Sequence, residues 1–149
     1  MFRTILVPTD GSPLSAKAAK TAADLAKKFE AKLVGIYAIP PYTPPSGGDG
    51  LIYYAEALSP KVYEAHMKKH AAKALEKVEK EAKAAGVECE SLAVFEDAPW
   101  NAIVKTAKSK KCDLIVMASH GRRGIAGLLL GSETTKVLTH SKTPVLVCR

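Results

Sequence analysis

The chain has 149 residues, of which 47% are hydrophobic and 25% charged, and its 22 basic against 15 acidic side chains give a net charge of +7. That length suits one domain with a sizeable core, and no apolar run approaches the roughly 18 residues of a membrane span. The opening residues lack the layout of a secretory signal, and the widely separated Cys89, Cys112 and Cys148 form neither a disulfide framework nor a zinc pattern, so a cytoplasmic protein with inert thiols is expected.

Residues 2–8 are an apolar run ending at Pro8, which predicts a strand. Thr9, Asp10 and Gly11 make a turn, after which Ser12 is suited to cap a helix with Pro13 in its first position. Leu14, Ala18, Ala22, Leu25, Ala26 and Phe29 recur at helical spacing, and residues 33–39 form a second short, β-rich run. Residues 40–50 hold four prolines and three glycines and predict an irregular connection, either a plain surface loop or a flap over a ligand. Ser59-Pro60 and Gly86 bracket a long helix whose Lys73, Glu76, Lys77 and Lys80 look like a solvated face. His66 and His70 lie one helical turn apart there, but without a third ligand the pair predicts no metal site. A third strand over 87–95, a helix over 99–109 with Ile103, Val104 and Ala107 inward, a fourth strand over 114–117, a helix over 133–140 and a fifth strand over 144–148 follow. Strands alternating with helices and nearly continuous apolar strands predict a single-domain parallel α/β sheet covered on both faces.

Ligands in such folds bind beyond the carboxyl ends of the strands, and two loops occupy that position. The first runs from Pro8 to Ser12. The second contains Ala118, Ser119, His120, Gly121, Arg122, Arg123 and Gly124 and closes on Gly131-Ser132 at a helix start. Small residues before a helix N-terminus admit an anion to backbone N–H groups, so the second loop reads as a phosphate cradle. Backbone N–H groups of Gly121, Ser132 and Glu133, with the hydroxyls of Ser119, Ser132 and Thr134, are the candidate donors. Ser132 is equally suited to cap the helix itself. Asp10 would accept from a ribose hydroxyl or hold a divalent ion; its alternative is a plain turn residue. At most one of Arg122 and Arg123 would face a phosphate, and His120 is a candidate for polarising it or for a structural role. Residues 100–149 carry nine basic and two acidic side chains, which reads either as a positive field that draws phosphorylated ligands to the cradle or as a plain solvated basic face. Nucleic acid is a weaker reading, since aromatics do not interleave with the basic residues.

Taken together, Ile5-Leu-Val-Pro-Thr-Asp-Gly-Ser12, residues 113–124, Leu128-Leu-Leu-Gly-Ser132 and Pro144-Val-Leu-Val147 closely resemble the universal stress protein family over the whole chain, 1–149. The resemblance implies a Rossmann-like five-stranded sheet in order 3-2-1-4-5 and a homodimer joined through the fifth strand, Pro144 to Cys148. It implies ATP or AMP as ligand, with Mg²⁺ possible beside ATP. Adenine would pack near Pro8, Thr9, Ala38 and Met117, while ribose and phosphates meet Asp10, Gly121, Gly131, Ser132, Glu133 and Thr134. One departure stands out: the ATP-binding pattern opens on glycine, and here Ala118 takes that place. The expected role is a nucleotide-occupancy sensor in a stress response, without turnover. Its alternatives are a slow ATPase using Asp10, a divalent ion and His120, and a dimeric interaction module with a degenerate site.

Overall fold

The computed structural model describes residues 1–44, 59–122 and 129–149. Its elements, in chain order, are β1 (Thr4–Pro8), α1 (Pro13–Phe29), β2 (Lys32–Ile39), α2 (Pro60–Ala85), β3 (Cys89–Phe95), α3 (Pro99–Ser109), β4 (Leu114–Ala118), α4 (Ser132–His140) and β5 (Val145–Cys148). Every strand pairing is parallel, in the order β3-β2-β1-β4-β5. The chain therefore winds outward from β1 in both directions, and the switch point lies between β1 and β4. The predicted fold and strand order hold.

Alternation along the central strands divides the core into two layers. Ile5 and Val7 of β1 join Leu114 and Val116 of β4 under α1 and α2, where Ala19, Ala22, Ala26 and Val78 pack against them. Leu6 joins Ile115 and Met117 on the other face, under Ala102, Ile103 and Ala107 of α3 and Val137 of α4. The alanine stripe of α1 lets that helix sit close to the sheet. The amino end of β1 is fixed by Asp113, whose Oδ2 accepts from the backbone N–H groups of Arg3 (2.6 Å) and Thr4 (2.9 Å).

The punctuation of the helices follows the sequence closely. Ser12 Oγ accepts from Ser15 N at 3.2 Å and Ser59 Oγ from Val62 N at 3.3 Å, each with proline next in the chain. Gly86 ends α2 at φ 72°, the left-handed conformation glycine tolerates. Buried residues of α2 begin only at Ala71, so its first turns stand clear of the core. The His66 and His70 rings lie 4.5 Å apart on that stretch, and the described residues contain no group of three metal-ligating side chains. Tyr63 hydroxyl donates to the Pro40 carbonyl at 2.7 Å, pinning the start of the proline-rich connection. Most of that connection, and with it the flap reading, lies outside the described residues.

All three cysteines carry free thiols. Burial, then the charge of Asp113, pushes the Cys112 thiol up to about 11, and burial with Glu79 raises that of Cys89. Both are protonated at neutral pH and correspondingly poor nucleophiles.

Candidate functional site

The β1–α1 turn and the β4–α4 loop meet beyond the switch point, and Asp10 joins them. Its Oδ1 accepts from Ser12 N at 2.9 Å within its own turn, and its Oδ2 accepts from Arg122 N at 2.8 Å, 112 residues away. Burial favours the neutral acid, but the hydrogen bonds from Ser12 and Arg122 outweigh it and hold the carboxyl below its ordinary value. Asp10 is thus an anionic clasp at neutral pH. Each oxygen keeps lone-pair capacity for a further donor.

Close approach explains two glycines. A Cβ on Gly121 would stand 2.5 Å from Asp10 Oδ2, so the clasp requires glycine there. A Cβ on Gly131 would meet His120 Cα at 3.2 Å, while Gly131 N donates to the Ser119 carbonyl at 2.6 Å. The loop is therefore folded back on its own base, at the end where α4 begins.

The first turns of the four helices are capped in different ways. Ser12 serves α1 and Ser59 serves α2. The residue before α3, Ala98, has no capping side chain, yet Glu133 of α4 reaches across and its Oε2 accepts from Trp100 N at 2.8 Å. Among the described residues α4 itself has no side-chain cap. The N–H groups of its first turn lie at the positive end of the helix dipole with no side-chain cap.

Several of the residues singled out from sequence have different work from that expected. Gly131, rather than Ser132, occupies the capping position of α4, and Ser132 is the first helical residue. Thr134 is buried and its hydroxyl donates to the Ala118 carbonyl at 3.0 Å, which spends the proton it would have offered a phosphate. Ser119 is 2% exposed, and its Oγ lies 3.1 Å from His120 Nδ1, where it orients the imidazole. Ser119 and His120 border a groove of about 490 Å³ with Pro13, Leu14, Lys17, Leu129 and Arg149. The Arg122 guanidinium reaches within 2.9 Å of where a Gly11 Cβ would stand, over the first turn. Arg123 and Gly124 lie outside the described residues.

The residues expected beside adenine, Pro8, Thr9, Ala38 and Met117, come from the ends of three neighbouring strands. Pro8 ends β1, Thr9 N donates to the Ile36 carbonyl at 2.9 Å, Met117 is buried at 5% exposure, and Ala38 packs against the same core layer. Ala118 ends β4 with its φ outside the left-handed region, so alanine causes no backbone strain there. Two contributions went unseen in the sequence. Lys77, read as part of a solvated face, donates to the Gly11 carbonyl at 2.6 Å and braces the first turn from α2. Glu133, considered for its backbone N–H, uses its side chain to cap α3. Neither partner is near in sequence, and only the packing of α2 on α1 and of α3 beside α4 reveals them.

A five-stranded parallel sheet in the order β3-β2-β1-β4-β5, packed with helices, defines the class of Rossmann-like α/β domains. Within it, this chain belongs to the universal stress protein family, whose sequence model matches residues 1–149. It is 37% identical over 153 aligned residues to a universal stress protein of Methanocaldococcus jannaschii, covering 100% of this chain and 83% of that one. It is similar to the solved structure of a second universal stress protein of that organism, with TM-score 0.78 and 28% identity over 99% of this chain and 96% of the other. A universal stress protein solved in complex with cAMP is 33% identical, with TM-score 0.67 over 99% of this chain and 97% of that one.

Proposed function

We propose that this chain binds an adenine nucleotide across the junction of its two loops and reports its occupancy to partners without turning it over. The observation that carries the reading is the contrast among helix starts: side chains serve α1, α2 and α3, and α4 alone among them has no side-chain cap. The similar protein captured with cAMP supports an adenine nucleotide as that ligand. Phosphate would rest on the N–H groups of Ser132 and Glu133 beside Gly121 and Gly131. Adenine would occupy the side formed by Pro8, Thr9, Ala38 and Met117, and ribose would meet Asp10. Where the ligand is ATP, Mg²⁺ would take up lone pairs of Asp10 and phosphate oxygens.

Binding without turnover is favoured because the two groups best placed to act as bases are already engaged. Asp10 accepts two backbone N–H bonds, and His120 is tied to Ser119. The domain would act in the cytoplasm as a homodimer. β5 is a terminal strand of the sheet with Leu146 39% exposed, an edge that a second copy would cover. Calorimetric titration with ATP, ADP, AMP and cAMP, with and without Mg²⁺, tests the reading. Saturable binding of at least one nucleotide with no product formed over hours is expected, and absence of binding by all four would sink it.

A further inference from the structure

We infer that Glu133 is a specificity-determining residue that sets how strongly this site discriminates against highly charged phosphate chains; the inference rests on the nucleotide reading above. Glu133 is the second residue of α4, so its carboxylate stays within about one Debye length, roughly 8–10 Å, of any anion on the helix's first N–H groups. The carboxylate is fixed there, since Oε2 accepts from Trp100 N at 2.8 Å across the gap between the two helices.

Two helix N-termini therefore lie side by side, α3 and α4, and the protein has filled one of them with its own negative charge. That arrangement has two effects on a phosphate chain. The N–H groups at the start of α3 are already satisfied, so a chain longer than one phosphate gains no second helix end to rest on. Each added phosphate charge also meets the field of a carboxylate held in place. Lys136 offsets part of that field, with Nζ 3.3 Å from Glu133 Oε1, but both side chains are substantially exposed at 49% and 38%, so water screens the pair and the offset is partial. A monophosphate or cyclic monophosphate meets the weakest repulsion, and a triphosphate the strongest.

The ratio of ATP to AMP affinity, measured by calorimetry in magnesium-free buffer, isolates this effect from general damage to the site. Glu133→Gln removes the charge while its amide oxygen still accepts from Trp100 N. It is expected to raise the ATP-to-AMP affinity ratio about five- to tenfold at low ionic strength, with the gain shrinking toward unity at about 0.5 M salt. Lys136→Met exposes the full charge of Glu133 and is expected to lower the ratio about twofold. The fluorescence of Trp100, the one tryptophan of the chain, checks that the contact between α3 and α4 survives in each variant. A ratio unchanged within twofold in Glu133→Gln, or a change insensitive to salt, overturns the role of Glu133 while leaving the nucleotide reading intact. Failure of the wild-type chain to bind either nucleotide overturns both.

Discussion

Two helices begin at the carboxyl edge of the central strands, and their first turns are built differently. The start of α1 is self-contained: Ser12 caps Ser15 N, Ser15 Oγ donates back to the Ser12 carbonyl at 2.9 Å, and Thr9 accepts from Gly11 N at 3.1 Å. The start of α4 has glycine in the capping position and spends its nearby hydroxyl, Thr134, on the end of β4. A helix start whose donors are served from within contributes stability. One whose donors have no side-chain cap forgoes that contribution, which a bound anion could supply. Asp10 ties the first of these turns to Arg122, at the beginning of the loop that leads to the second.

The sharpest way to break this contrast is to fill the open turn. Gly131→Val places branched carbons where a single Cβ already meets His120 Cα at 3.2 Å. Overpacking of this kind costs on the order of 1–3 kcal/mol, and if that strain falls on the bound state it predicts a loss of nucleotide affinity of about 5- to 150-fold with the sheet still folded. Calorimetry and circular dichroism on the same sample check both halves, and retained affinity would show that the cradle is elsewhere. A smaller effect is expected at the closed turn. Ser12→Ala removes a side-chain cap and should lower unfolding free energy by about 1 kcal/mol in urea titration, with affinity moved far less than stability. If affinity fell as much as in the Gly131 variant, the closed turn would have to be counted as part of the ligand site. The smallest effect is expected at the hinge between strand and loop. Ala118→Gly should cost about 0.5–1 kcal/mol of stability from added backbone freedom and leave ATP affinity equal or improved. A clear loss of affinity would mean that the Ala118 methyl group is itself a ligand contact.

How much of this was legible depended on the range of each interaction. The α1 cap, the Ser59-Pro60 start and the Gly86 stop of α2 are local motifs, and the structure keeps each of them. Boundaries shifted by a residue or two where strand pairing decided them: β3 begins at Cys89 instead of Val87, and β5 at Val145 because Pro144 has no N–H to donate. The two loops of the site were recognisable as pieces, since glycine and small residues after apolar strands are visible in order along the chain. Their joint was not. Asp10 and Arg122 are 112 positions apart, and an Asp-Gly pair alone reads equally well as an ordinary turn.

The sequence by itself determined the alternation of strands and helices, the apolar character of the central strands, the caps of α1 and α2, and the family to which the chain belongs. These depend on periodicity and on neighbours within a few residues, where covalent spacing fixes geometry. Only the tertiary structure decided that Asp10 clasps both loops, that Thr134 and Ser119 turn inward, that Lys77 braces the first turn, and that Glu133 caps a helix other than its own. Each of those is a choice of hydrogen-bond partner among several that the sequence allows. It is settled by which distant elements the switch-point topology brings within about 3 Å of one another.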